Sequence, residues 1–121
     1  MFPHFKLCLA ALLSVLALMA EAQSTKKTYE LKVAGNCEHC QERIETALDQ
    51  PGVKQVRWTN KTGIATITAD TTKVNLLTLS SLVAKTGHDT QEFRASQQTY
   101  EKLPKCCRYT RDPANKAPLV K

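Results

Sequence analysis

Over residues 28–34 apolar and polar side chains alternate, with Tyr29, Leu31 and Val33 on one side and Thr28, Glu30 and Lys32 on the other. A period of two is that of a half-buried strand. Gly35 and Asn36 interrupt it. From residue 37 to about residue 50 the apolar positions Cys40, Ile44, Ala47 and Leu48 recur at helical spacing, until Pro51-Gly52 ends the run. Val53, Val56 and Trp58 predict a second strand, Asn60-Lys61-Thr62-Gly63 a turn, and the β-branched stretch 64–69 a third strand, so the two form a hairpin. Asn75 is placed to cap a second helix with the stripe Leu76, Leu79, Leu82 and Val83, and Gly87 supplies its left-handed stop. A short fourth strand is predicted over residues 90–94.

The order βαββαβ interleaves two right-handed βαβ units, with both helices on one face of an antiparallel sheet. The predicted fold class is therefore α+β, a ferredoxin-like sandwich. A short C-terminal helical extension follows: Ser96 can cap a helix running to Leu103, Pro104 ends it, and the last ten residues, with Pro113 and Pro118, are expected to be loose. At the other end, a cationic start (residues 1–6), an apolar stretch over residues 7–20 and Ala20-Glu21-Ala22 read as a cleaved signal peptide. That stretch spans roughly 21 Å as a helix, short of the ~30 Å hydrocarbon core, so a retained anchor is disfavoured. The expected organisation is 1–22 signal peptide, 23–95 folded domain and 96–121 extension. The product is expected to be exported, periplasmic or secreted, with no membrane association after cleavage.

The chain has 121 residues, 42% of them hydrophobic, with 4 Gly and 5 Pro, which excludes a multidomain enzyme, a collagen and a wholly disordered chain. Its net charge of +6 survives loss of the leader, which carries away Lys6 and Glu21 together. The basic residues are scattered, with little aromatic interleaving, so no nucleic-acid partner is expected. Of the 5 cysteines, Cys8 leaves with the leader; Cys37 and Cys40 form a C-x-x-C, and Cys106 and Cys107 are adjacent. Vicinal cysteines rarely bridge to one another because ring closure strains the intervening peptide, so this pattern favours metal or redox chemistry over disulfide staples.

A C-x-x-C at a strand-to-helix junction puts one sulfur in the loop and the other on the first helical turn, where both can face one ion. The positive end of the helix dipole lowers thiol pKa values. Two thiolates in an exposed loop suit a soft ion content with few ligands, above all Cu(I), with Hg(II) or Zn(II) as further candidates.

Gly35-Asn36-Cys37-Glu38-His39-Cys40 after the first strand, Pro51-Gly52-Val53 and Lys85-Thr86-Gly87-His88 together resemble the heavy-metal-associated domain family, over about residues 28–94. That family includes copper chaperones, N-terminal domains of metal-pumping ATPases and periplasmic mercury-binding proteins. The resemblance implies that Cys37 and Cys40 are the paired metal thiolates, and that the partner is a metal-donor or metal-acceptor protein such as a metal-transporting ATPase or exporter.

Three positions depart from the family pattern. Gly35 stands where relatives commonly have Met, so the apolar tether of the loop is expected to be missing. Asn36 stands where zinc-pumping relatives often have Asp. His88 stands where most have Tyr, Phe or Lys. His88 is a candidate third ligand, and Lys85 a candidate counter-charge for a dithiolate complex. His39, between the two thiols, is expected to face solvent. A helix after Ser96 would return the chain by roughly 12 Å, so Cys106 and Cys107 are further candidate ligands.

The function expected from these features is an exported soft-metal binding protein, not an enzyme, that captures Cu(I) and hands it over by thiolate exchange. The competing expectation is a thiol–disulfide oxidoreductase using the same C-x-x-C. Against it, no Trp precedes Cys37, and no proline lies between Pro51 and Pro104 to face the disulfide.

Overall fold

A computed structural model describes residues 25–121. The signal peptide, its cleavage site and Cys8 lie outside the described residues. The elements run β1 (Lys26–Lys32), α1 (Glu38–Leu48), β2 (Val53–Thr59), β3 (Ile64–Asp70), α2 (Leu76–Lys85), α3 (Gln97–Glu101) and a 3-10 turn (Lys105–Cys107). The strands form an antiparallel sheet in the order β1-β3-β2. Leu31 of β1 stands opposite Ala65, and Trp58 of β2 opposite the same residue, so the small alanine leaves room for both large neighbours. Leu31, Ala65, Ile67, Ala69 and Trp58 turn inward against Ile44 and Leu48 of α1 and Leu79 and Val83 of α2. The outer face carries Thr28, Glu30, Arg57 and Thr66, all exposed. This is the α+β, ferredoxin-like arrangement.

Asn75 caps α2, its side chain accepting from the Thr78 N–H at 2.9 Å. The fourth strand expected over residues 90–94 is reduced to one antiparallel bridge, Val33 to Thr90. The hydroxyl of Thr90 explains why pairing stops there: it accepts from the N–H groups of Glu92 and Phe93 at 3.2 and 2.9 Å, while the Thr90 N–H donates to Phe93 O at 2.7 Å. Those bonds fold the backbone into a turn that cannot also continue a ladder with β1. Arg94 then pairs in parallel with the tail: its N–H donates to Pro118 O at 2.8 Å and its carbonyl accepts from Val120 at 2.9 Å. The last residues, expected to be loose, are thus held at residues 118–120. The helix after Ser96 forms with that serine as its cap, but ends at Glu101.

The extension packs into the same core, contributing Leu103, Cys107 and Tyr109. Gly87 makes this approach feasible. Its φ of 108° is costly for any other residue, and a Cβ there would lie 2.9 Å from two Leu103 side-chain carbons. Tyr109 is buried and its hydroxyl accepts from the Asp89 N–H and donates to Gly87 O, both at 2.8 Å. Burial, opposed only in part by the Asp89 N–H, pushes its phenol pKa up, so it stays protonated and able to donate. Arg111 grips Asp89 with two nitrogens, at 2.9 Å from Oδ2 and 2.6 Å from Oδ1, and also reaches Ala95 O at 2.6 Å. A bidentate, largely buried pair of this kind is stronger than an exposed one.

His88 is fully buried, its ring stacked on Tyr109 at 5.8 Å between centroids. Nδ1 lies 2.9 Å from Ala34 O, so that nitrogen carries the proton, while Nε2 has no hydrogen-bond partner among the described residues. Burial, aided by the Arg43 charge, lowers its pKa against the opposing pull of Ala34 O and Asp89.

Two outcomes follow from this packing. Tyr109→Phe leaves a buried N–H and a buried carbonyl unpaired, which costs about 1–3 kcal/mol; urea titration of the reduced, metal-free protein should show a lowered midpoint with an unchanged slope. His88 resists protonation when folded but titrates near 6.5 when unfolded, so stability is full above about pH 6.5 and is lost as pH falls below it, by up to ~1.4 kcal/mol per unit. Urea midpoints at pH 7.5 and 5.5 should differ in that direction, and His88→Asn, which keeps a donor for Ala34 O, should flatten the difference.

Candidate metal centre

The loop between β1 and α1 presents the first two sulfurs. Cys37 occupies the N-cap of α1 in an extended conformation, φ −157° and ψ 173°, and its side chain makes no cap hydrogen bond. Its carbonyl instead accepts from the N–H groups of Cys40 and Gln41 at 3.1 and 3.3 Å, so the first turn closes while the thiol stays free. Cys40, one turn on, faces the core and is buried. The two Sγ atoms lie 3.3 Å apart.

The third sulfur comes from the extension. Cys107 ends the 3-10 turn, is buried, and places its Sγ 3.7 Å from that of Cys37. The sulfurs of Cys37, Cys40 and Cys107 all lie within 4.8 Å of one another. A metal about 2.3 Å from each of three sulfurs in one plane would hold them about 4 Å apart, so the observed spacing fits a single soft ion after small rotations. All four described cysteines are unbridged.

The loop is pinned in a way the sequence did not disclose. Trp58 of β2 lies under it: a Cβ on Gly35 would come within 3.0 Å of both the Trp58 ring and Cys40 Cβ. The indole Nε1 donates to Val33 O at 3.1 Å. The tether expected to be missing at Gly35 is therefore supplied from the opposite edge of the sheet, by an aromatic ring that any Cβ at residue 35 would crowd. Asn36 also contributes, its N–H 3.5 Å from Cys40 Sγ and its Oδ1 accepting from that thiol at 3.4 Å. The Asn36 N–H gives the sulfur a donor once it is a thiolate.

The thiols differ in electrostatics. Burial raises the Cys37 pKa, but hydrogen bonds from the Cys40 side chain and N–H and from the Cys107 thiol outweigh it, so the net shift is downward. Cys107 moves the other way: burial first, then its contacts with Cys40 and Cys37, push its thiol up. Of these two, Cys37 ionises more readily.

The remaining candidates fall outside the cluster. Cys106 is exposed, its Sγ 4.0 Å from that of Cys107. His88 is spent on Ala34 O and Tyr109, and stands outside the group of metal-competent side chains among the described residues. His39 is exposed, as expected, and Lys85 is exposed at the end of α2. The Tyr109 and Arg111–Asp89 clamp that aims Cys107 was not foreseen; the only signal was an aromatic and an arginine close after the vicinal cysteines.

Residues 31–89 match the model of the heavy-metal-associated domain. Among solved structures the chain is similar to a CopZ metallochaperone, with 26% identity over 53% of this chain and 98% of that one and a TM-score of 0.51. It is also similar to oxidised MerP from Ralstonia metallidurans CH34, with 28% identity over 54% of this chain and 93% of that one and a TM-score of 0.51. No curated protein matches the chain. Cys107 and the clamp that positions it lie beyond the matched segment. Through residues 31–89, with their β1–α1 dithiol loop on a ferredoxin-like sheet, the chain belongs to the heavy-metal-associated domain family.

Proposed function

We propose that this protein is an exported carrier of Cu(I), which it holds through Cys37, Cys40 and Cys107 and passes on by thiolate exchange. The observation that carries this reading is the convergence of three sulfurs within 4.8 Å of one another, with Cys37 half-buried and the other two buried. Soft thiolates select soft ions, and a three-sulfur set suits Cu(I) or Hg(II) better than Zn(II), whose structural sites take four ligands. Cu(I) is preferred over Hg(II) because one similar solved structure, from Bacillus anthracis, is described as a putative copper-ion-binding protein, which agrees with the ligand chemistry. A carrier needs no reaction chemistry of its own, and the proposed partners are a donor or acceptor of the ion, such as a metal-transporting ATPase or exporter.

Export is inferred from residues 1–22, whose charged start, apolar stretch and A-x-A site have the layout of a cleaved leader. Among the described residues no helix is long and apolar enough to cross a membrane.

Competition against a chromophoric Cu(I) chelator, under anaerobic reducing conditions, tests the reading. One ion per chain should bind. Cys37→Ser and Cys40→Ser should each weaken binding by about 100-fold or more, the share of one thiolate in a total of ~10–16 kcal/mol over several ligands. Cys107→Ser should also weaken it, and X-ray absorption should then count two sulfurs where the parent has three. Unchanged affinity in Cys37→Ser defeats the proposal.

A further inference from the structure

The vicinal cysteines divide between inside and outside. Cys107 is buried in the sulfur cluster, while Cys106 is exposed and lines a groove of about 670 Å³ with His39, Glu42, Arg43 and Pro104. Their sharing a 3-10 turn sets this geometry. At three residues per turn, neighbouring side chains point about 120° apart, not to opposite sides as on a strand. The second thiol thus stays beside the first, at the rim of the site.

The four sulfurs form a graded series. Sγ separations are 4.0 Å from Cys106 to Cys107, 3.7 Å from Cys107 to Cys37 and 3.3 Å from Cys37 to Cys40. The first of these is the spacing at which two thiolates share one soft ion. Of the four, Cys106 is exposed and Cys37 half-buried, while Cys107 and Cys40 are buried.

We propose that Cys106 is the transfer thiol of this carrier, the sulfur to which the ion moves before an outside thiolate takes it; the proposal rests on the Cu(I) reading above. In that step a bond forms between the ion and Sγ of Cys106, and the bond to Sγ of Cys40 breaks. Cys106 loses a proton and Cys40 regains one, so total charge and oxidation state are unchanged. The ion passes from the set Cys37, Cys40, Cys107 to the set Cys37, Cys107, Cys106, one of whose members is open to the groove. Carried on the same turn as a resident ligand, Cys106 acts at an effective concentration in the millimolar range or above, and so outcompetes dilute external thiols for the first exchange. The incoming ligand is a thiolate, whether of a small thiol peptide or of a protein dithiol.

Stopped-flow transfer of Cu(I) from the loaded, reduced protein tests this, with glutathione in one arm and a reduced C-x-x-C peptide in the other. Cys106→Ser should slow transfer at least about tenfold in one arm or both, while equilibrium affinity changes less than about twofold. The arm that slows identifies the source of the acceptor thiolate. Equal rates for the two proteins in both arms overturn the proposal. So does an affinity loss in Cys106→Ser as large as that in Cys37→Ser, since Cys106 would then be a resident ligand. Failure of the Cu(I) reading itself registers separately, as Cys37→Ser binding Cu(I) as tightly as the parent.

Discussion

The hydroxyl of Tyr109 bonds two backbone groups of the segment after α2, the Asp89 N–H and the Gly87 carbonyl, while Arg111 grips the Asp89 carboxylate two residues further along the extension. Those bonds fix where the chain returns after α3. Cys107 lies two residues before Tyr109, so the same clamp that satisfies buried polar groups brings a third sulfur to within 3.7 Å of Cys37. A buried hydrogen bond counts most through the cost of breaking it. The extension is therefore held because releasing it would strand Gly87 and Asp89 groups in the core. The Tyr100 hydroxyl, donating to Tyr109 O, closes the loop from α3.

A carrier has conflicting needs: enough ligands to hold its ion, and enough exposure to release it. The half-buried Cys37 on its loop answers the second need, and the family segment alone supplies only that thiol and the buried Cys40. Adding Cys107 from outside that segment answers the first, since a third sulfur shields the ion and multiplies the bonds an acceptor must replace. The electrostatic ordering follows the same division. Cys37, with its lowered pKa, presents a thiolate for the ion to meet, whereas the buried Cys107 keeps its proton until an incoming positive charge makes its release favourable.

Much of this was legible in the sequence because the relevant signals are local. Alternation set β1, helical spacing set α1, and the capping residues Asn75 and Ser96 both accept the bonds their positions predict. The C-x-x-C juxtaposition is local too, being fixed by one helical turn. What stayed hidden depends on contacts between distant segments. The role of Trp58 at Gly35 joins residues separated by a helix and a strand, and the tail's pairing with Arg94 competes with a fourth strand that pattern alone favours. The vicinal cysteines could be brought near the metal loop by counting helix length. Which of the two turns inward was not readable, because it depends on the phase of a three-residue 3-10 turn. His88 does approach the metal loop, but its partners, Ala34 O and the Tyr109 ring, belong to distant segments, and the sequence alone did not show that they hold it outside the sulfur cluster.

If the protein is exported as proposed, an oxidising compartment adds a constraint that bears on the thiols. Disulfide formation needs a thiolate to attack, and Cys37, whose pKa is lowered, has Cys40 at 3.3 Å and Cys107 at 3.7 Å as neighbours. Without metal, the lowered pKa that prepares Cys37 for the ion also prepares it to oxidise. With metal bound, its lone pairs are engaged and the site is protected by its cargo. Burial of Cys40 and Cys107 works in the same direction, since an outside oxidant must reach them past Cys37 or Cys106. On the proposed reading, then, the geometry that holds the ion also decides when the empty protein closes itself off, and capture must compete with oxidation for the same thiolate.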